Sequence, residues 1–317
     1  VSLTPPPRWT TEEFKEQCEQ ARQIFRTRRL NESRGLYSET FVKCLHLVKE
    51  LLEKTDGLSQ VAAISADEEA PGPDLFETLT DTDLLETLRY VIGPPISADD
   101  LAELADTSLA PRVLFEDTEA SIRVAETVIQ GLDPIRFPWV GQSRQPGHSE
   151  LDAAALATAA LMATRRVETA RRMQSKEQEE AVKSCLREAG VNEVEPRTVS
   201  PGLLNAPEPG EFCREAKFGT RKADLIVRLH DGRCMPIECK VSNSSTNSVK
   251  RLNNDAAAKA STWIEEFGSG ATVPSAVLAG IFKTLNLEQA QAQHLTIFWS
   301  HNLDPLTSFI RCTEQST

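Results

Sequence analysis

The sequence predicts an α/β fold with a mixed central sheet flanked by helices, preceded by a mostly α-helical N-terminal domain. Three observations carry this. Apolar residues in the first half recur at helical spacing. After Gly190 the pattern changes to short strand-like runs interrupted by one long helical stretch. The order of the second half is helix, three strands, helix, strands, which is that of an α/β domain with a mixed sheet. The 317 residues suffice for two domains, placed at 1–174 (helical) and 175–317 (α/β).

The elements follow in chain order. Thr10 and Glu13 form a capping box ahead of the helical stripe Phe14, Cys18, Ala21 and Phe25. A second helix is predicted from Ser38 to about Lys54. The stretch from Ser59 to Asp74 is acidic and contains Pro and Gly, so it reads as a surface loop. Helical patterns return at Asp81–Val91, Ser97–Ala105 (Ser97 as cap) and Thr118–Gly131. A Pro/Gly/Ser/Gln-rich loop spans Pro138 to His148, and alanine-rich then arginine-rich helices lead into the second half. There, a helix from Ser175 to Ala189 stops at Gly190. Strands are predicted at Val191–Val199, Ala223–Leu229, Met235–Val241, Ala276–Phe282 and Leu295–Trp299, with a helix over Ser248–Phe267 between them.

Composition narrows the function classes. No apolar run approaches the roughly 18 residues of a membrane span, and Val1–Trp9, with Pro5, Pro6 and Pro7, does not read as a signal peptide. Seven scattered cysteines form no Cys-x-x-Cys pair, and five histidines show no ligand spacing. Zinc, a disulfide framework and histidine-based hydrolysis are therefore not indicated, and a reducing cytoplasm is the expected compartment. No P-loop is present, so no ATP-driven activity is expected. The net charge of −12 opposes a polyanionic partner, but it is uneven: from Ser175 onward 16 Lys+Arg face 18 Asp+Glu, a net of −2, which leaves −10 for the first 174 residues. Nucleic-acid binding needs a local basic groove rather than a basic protein.

The chemistry concentrates in residues 221–240. Two β-type runs flank His230-Asp231-Gly232, a hairpin signal. Glu238 and Lys240, two apart on one strand, share a face. Whether Asp224 joins them depends on the turn. A two-residue Asp231-Gly232 turn pairs Asp224 with Cys239 and points the acid away. A three-residue loop pairs Leu229 with Arg233, and hence Asp224 with Glu238; it favours a left-handed third residue, where Gly232 stands. A one-residue slip would destroy the cluster. Two carboxylates and a lysine on one face suit metal-assisted phosphodiester cleavage: Asp224, Glu238 and the Cys239 carbonyl as ligands of Mg2+ (Mn2+ substituting), with Lys240 orienting the attacking water.

Asp224…Glu238-Cys239-Lys240 resembles the PD-(D/E)xK nuclease motif, with Ala223 where the motif's name has proline. The longer run from Ile237 through Asn253, with its Ser/Asn-rich segment, is similar to the XamI family of type II restriction endonucleases. The resemblance implies a restriction-endonuclease-like core, specific cleavage of double-stranded DNA and a homodimer on a palindromic site. It also implies a glutamate of the core's first helix in the metal site. Glu179 matches best, because it shares a helical face with Val182 and Leu186; Glu177 and Glu180 compete. A structure-specific nuclease of the same superfamily and an inactive DNA-binding protein on this fold are the alternatives.

For DNA contacts the candidates are Arg221 and Lys222 before the hairpin, and Ser242, Asn243, Asn247, Lys250 and Arg251 after it, where polar donors can reach phosphates or base edges. Arg214, Lys217, Arg221 and Lys222 form a local basic run, broken by Glu215. Arg165, Arg166, Arg171 and Arg172 read as helix-surface charge. The helical first half is expected to supply dimer contacts, DNA contacts or both.

Overall fold

The computed structural model describes residues 3–67 and 73–314, without the side chains at 64–67, 73, 74, 174, 175, 245, 247 and 251. Contacts divide the chain into two units, Glu32–Ala170 and the combination of Val1–Asn31 with Arg171–Thr317. The first helix, α1 (Thr11–Thr27), lies in the range 1–174 expected of a helical domain, but its contacts place it in the sheet unit. The predicted capping box at Thr10 and Glu13 starts it. Its stripe of Phe14, Cys18 and Ala21 then buries against Leu252, Ala256, Leu278 and Ile297. Trp9 Nε1 adds a hydrogen bond to the Ile297 carbonyl at 2.7 Å.

The helical unit contains α2 (Ser33–Lys54), α3 (Ser59–Asp67), α4 (Pro73–Thr80), α5 (Thr82–Leu88), α6 (Ala98–Leu104), α7 (Pro111–Glu116), α8 (Thr118–Gln130), α9 (Pro138–Gly141) and α10 (His148–Arg172). Asp81 and Ser97 cap α5 and α6. The acidic stretch expected as a surface loop is largely helical where it is described, in α3 and the start of α4; residues 68–72 lie outside the described residues. Leu58, Val61, Leu75 and Leu79 are fully buried in this unit's core, and that burial outweighs the local polarity that suggested a loop. Arg136 ties the unit together: it pairs with Asp133 at 2.7 Å and donates to the Tyr90 and Ile92 carbonyls and to Thr158 Oγ1.

The sheet unit continues with α11 (Gln174–Glu188), ended by Gly190 at φ +87 as predicted. Its strands run in sequence order across a six-stranded mixed sheet: β1 (Asn192–Val194), β2 (Glu211–Phe218), β3 (Arg221–Arg228), β4 (Cys234–Ser242), β5 (Ser275–Gly280) and β6 (Thr296–Trp299). β2–β3 and β3–β4 are antiparallel, and β1–β2, β4–β5 and β5–β6 are parallel. Between β4 and β5 lie α12 (Ser245–Arg251), a π-helical turn (Leu252–Ala257) and α13 (Ala258–Phe267); α14 (Thr284–Ala292) and α15 (Asp304–Glu314) follow β5 and β6.

Two strand expectations are corrected. Val191–Val199 is not one strand, because Pro196 cannot donate to a ladder; only Asn192–Val194 pairs, with an isolated bridge from Val199 to Phe218. β2 has no counterpart among the strands expected from the sequence, where its residues register as part of a basic run. Its exposed Arg214, Glu215 and Lys217 masked the buried Phe212, Cys213, Ala216 and Phe218.

The central strands are covered on both faces. Leu225, Val227, Met235, Ile237, Cys239, Val277 and Phe298 pack with Val182 and Leu186 of α11 and with Leu306, Phe309 and Ile310 of α15. On the other face Ala276, Leu278, Ile297 and Trp299 meet α1, the π-helical turn and α14. Trp263 of α13 packs with Phe218, Ala223 and Ile226. Among the described residues no helix is long and apolar enough to cross a membrane.

Candidate active site

The β3–β4 hairpin sets the register. Leu229 N donates to the Arg233 carbonyl at 2.9 Å, Gly232 N donates to the Leu229 carbonyl at 3.0 Å, and Gly232 takes φ +87. This is the three-residue loop. The ladder runs from Arg228↔Cys234 to Leu225↔Ile237, so one step further Asp224 stands against Glu238 and the two-residue alternative is excluded.

At that step the sheet forks. β3 continues to Arg221 against β2, and β4 continues to Ser242 against β5, but pairing between β3 and β4 ends at Leu225↔Ile237. A fork leaves backbone groups to be satisfied by other means. Asp224 Oδ2 accepts from Cys239 N at 2.6 Å. The Lys222 carbonyl accepts from Lys259 Nζ at 3.0 Å. Side chains thus replace the ladder where β3 and β4 separate.

Glu238 lies in this fork with its side chain 0 % exposed, between two ammonium groups. Lys240 Nζ approaches Oε2 at 2.6 Å, and Lys259 Nζ lies 2.8 Å from both Oε1 and Oε2. Asp255 completes the cluster, 2.8 Å from Lys240 and 3.9 Å from Lys259. It sits in the π-helical turn, and Lys259 follows four residues later on α13. Burial pushes the Glu238 carboxyl up, Asp224 pushes it further, and the two lysines pull it back. Burial opposes the Lys240 ammonium, but Glu238 and Asp255 outweigh it and raise its pKa, so Lys240 is a fixed cation.

Glu179 approaches from α11. It is half-buried, and burial followed by the charge of Asp224 raises its carboxyl while Lys183 opposes the rise. Of its competitors, Glu180 is committed to Lys183 (2.5 Å) and Arg187 (3.0 Å), and Glu177 is exposed. The neighbouring Gln178 is buried and donates to the Val277 carbonyl at 2.9 Å, fastening α11 to β5 at the residue paired with Cys239.

Among the described residues no three His, Cys, Asp or Glu side chains gather at the spacing of a shared ion. The donor chemistry nevertheless fits a hard divalent cation: the Asp224 carboxylate lies within electrostatic reach of both Glu179 and Glu238, beside the Cys239 carbonyl. A cation already rests on Glu238, for the Lys259 ammonium is held by both of its oxygens.

Residues 74–299, which include the whole fork, match the family model described as XamI restriction endonuclease. A curated relative, the type II restriction enzyme XamI of Xanthomonas campestris pv. amaranthicola, is 42% identical over 282 residues, covering 85% of this chain and 96% of the relative. The chain belongs to the XamI restriction endonuclease family. It is therefore a site-specific deoxyribonuclease. No solved structure matches it.

In this member of the XamI family the expected DNA contacts are not all surface groups. Arg221 and Lys222 are exposed at the fork, but the Lys222 ammonium pairs with Glu215 at 3.1 Å. Asn243 and Lys250 are exposed. Ser242 is a correction: it is fully buried and its hydroxyl donates to the Ser244 carbonyl at 2.9 Å, so it braces the strand exit instead of facing DNA. The side chains of Asn247 and Arg251 lie outside the described ones; both residues are in α12.

Sequence reasoning missed Lys259, Asp255 and Gln178. Asp255 and Lys259 did carry a signal, since opposite charges at i and i+4 share a helical face. The direction of that face, toward Glu238, is a tertiary fact.

Proposed function

We propose that this restriction endonuclease hydrolyses both strands of DNA at a short palindromic sequence in the presence of Mg2+, leaving 5′-phosphate and 3′-hydroxyl ends, and that it acts as a homodimer. The observation that carries the reading is the fork, where Asp224, Glu238 and Lys240 converge on one point of the sheet. Their spacing is that of the PD-(D/E)xK motif. A palindromic site has two-fold symmetry, which a symmetric dimer matches.

Asp224, Glu238 and the Cys239 carbonyl would hold the cation, with Glu179 as a third carboxylate. When bound, such a cation acidifies a water and offsets charge on the phosphorane-like transition state. Lys240, kept protonated by its acidic neighbours, orients the attacking water and stabilises the hydroxide. Arg221, Lys222, Asn243, Asn247, Lys250 and Arg251 are candidates for phosphate or base contacts. Each phosphate neutralised releases counterions, so binding should weaken steeply as salt rises.

Phage DNA incubated with the protein is the direct test. Discrete fragments are expected in Mg2+ or Mn2+ and none in EDTA, whereas Ca2+ should support binding without cutting. Nicks that follow DNA structure instead of sequence would identify a structure-specific nuclease, and binding with no cutting an inactive relative. Undiminished cleavage after exhaustive metal removal would overturn the mechanism.

The helix glutamate has its own test. Glu179→Ala should reduce metal-dependent cleavage by roughly 10–100-fold, the usual cost of losing a supporting ligand, while Glu177→Ala and Glu180→Ala remain near wild type. Cleavage rates of the three variants across a Mg2+ titration decide it. An unchanged Glu179→Ala protein would remove the helix from the metal site.

A further inference from the structure

Lys259 is committed to several polar partners at the fork. Its ammonium contacts both Glu238 oxygens at 2.8 Å and the Lys222 carbonyl at 3.0 Å, with Asp255 at 3.9 Å. Its side chain is 20 % exposed, and that of Glu238 is 0 % exposed. Lys240 approaches Glu238 at Oε2, 2.6 Å away. A catalytic lysine needs nothing more than Lys240 provides, so the structure holds one ammonium in excess of what the motif requires.

A buried carboxylate without a counter-ion is costly, and so is a strand fork with an unsatisfied carbonyl. Lys259 answers both needs with one group. It bridges Lys222 of β3 and Glu238 of β4 at the point where their ladder has ended. The same position brings a cost to function, because a metal on Glu238 requires at least one oxygen that Lys259 now occupies.

We propose that Lys259 is a built-in counter-cation for the metal-free site, which keeps Glu238 and the fork in place until a divalent cation displaces it, and so sets the metal concentration at which the enzyme loads. The inference rests on the metal-nuclease reading above. It makes Lys259 a positioning residue that competes with the cation. Asp255, beside both lysines, is a carboxylate to which the displaced ammonium can turn, being only partly exposed and already 3.9 Å away.

The test uses the full-length protein without DNA. Mn2+ binding is measured by isothermal titration, and thermal unfolding is followed in EDTA and in saturating Mn2+. Lys259→Met keeps the aliphatic stem and removes the charge. It should bind Mn2+ at least about tenfold more tightly than wild type, because the competing charge is gone from a poorly solvated carboxylate. It should also melt earlier than wild type in EDTA and recover most of that loss in Mn2+. Lys259→Arg retains the charge and should bind Mn2+ no more tightly than wild type.

Lys222→Gln controls for bulk electrostatics. It removes one exposed charge from the same region but leaves Glu238 untouched, and its gain in affinity should be much smaller. Equal gains in Lys222→Gln and Lys259→Met would overturn displacement and leave only net charge. A Lys259→Met protein that melts early and is not rescued by Mn2+ would make Lys259 a structural brace, which also overturns it. If wild type binds Mn2+ and cuts DNA while Lys259→Met binds Mn2+ with wild-type affinity, this inference alone fails. If wild type neither binds Mn2+ nor needs a metal to cut, the metal-nuclease reading fails with it.

Discussion

A Glu238→Gln enzyme should cleave cognate DNA at least about a hundredfold more slowly than wild type, the scale of losing one group that stabilises a transition state. Glutamine is the informative substitution. It keeps the shape of a fully buried side chain, and its amide oxygen can still accept from one lysine, so the fork need not collapse. Glu238→Ala would also strand two ammonium groups, Lys240 and Lys259, beside a cavity, and breaking a buried ion pair on one side costs about 3–5 kcal/mol. A slow Ala variant could therefore be slow through unfolding. With Gln, single-turnover cleavage is read next to circular dichroism and a DNA-binding curve. Binding should persist or tighten, because a negative charge has been removed near the phosphates. Asp224→Asn and Lys240→Met should behave alike in rate. Near-wild-type cutting by Glu238→Gln would refute the assignment of the site.

The register that sets Asp224 against Glu238 is legible in the sequence because it is local. Only thirteen residues separate Asp224 from Glu238, and one turn decides their register. Gly232, at φ +87, selects the loop that brings them together. The capping box at Thr10 and the Gly190 stop are of the same kind: each follows from spacing along a few turns of chain. The misreadings have a common origin as well. β2 alternates buried apolar with exposed charged residues, and the charges were read as a basic run. Ser242 has the composition of a polar DNA-facing segment, but it is the last residue of β4 paired with β5, and burial extends to it. Assigning α1 to the nearest helices in sequence failed because its partners lie some 240–280 residues later, at Leu252, Leu278 and Ile297. Lys259 was out of reach for a subtler reason. Between it and Lys240 the chain passes through α12 and a π-helical turn, and each change of helical pitch rotates the face that follows. A spacing rule built on 3.6 residues per turn cannot carry a face across that junction.

The second large effect concerns what holds Lys259 at the fork. Trp263 stands four residues beyond Lys259 on α13, on the same side of the helix. It is fully buried, packs edge-on against Phe218 with ring centroids 6.1 Å apart, and donates from Nε1 to the Phe218 carbonyl at 3.0 Å. Ala223 and Ile226 of β3 share its cluster. The indole thus fixes α13 against the strands that carry Lys222 and Asp224. Trp263→Ala should cost about 3–5 kcal/mol, the range for removing a large aromatic from a packed core. Trp263→Phe separates the contributions. It retains most of the packing and loses the Nε1 donor, so its smaller loss should approach the 0.5–1.5 kcal/mol or so of one hydrogen bond, plus the shape mismatch. Urea unfolding followed by far-UV circular dichroism measures both. The chain has two units, and only the transition of the sheet unit should move. If α13 is positioned mainly by Trp263, the Ala variant should also loosen Lys259 from Glu238 and bind Mn2+ more tightly than wild type at temperatures where it remains folded. A loss below about 1 kcal/mol on Trp263→Ala would mean that the helix is held elsewhere, by the apolar contacts of the π-helical turn with α1 and β5.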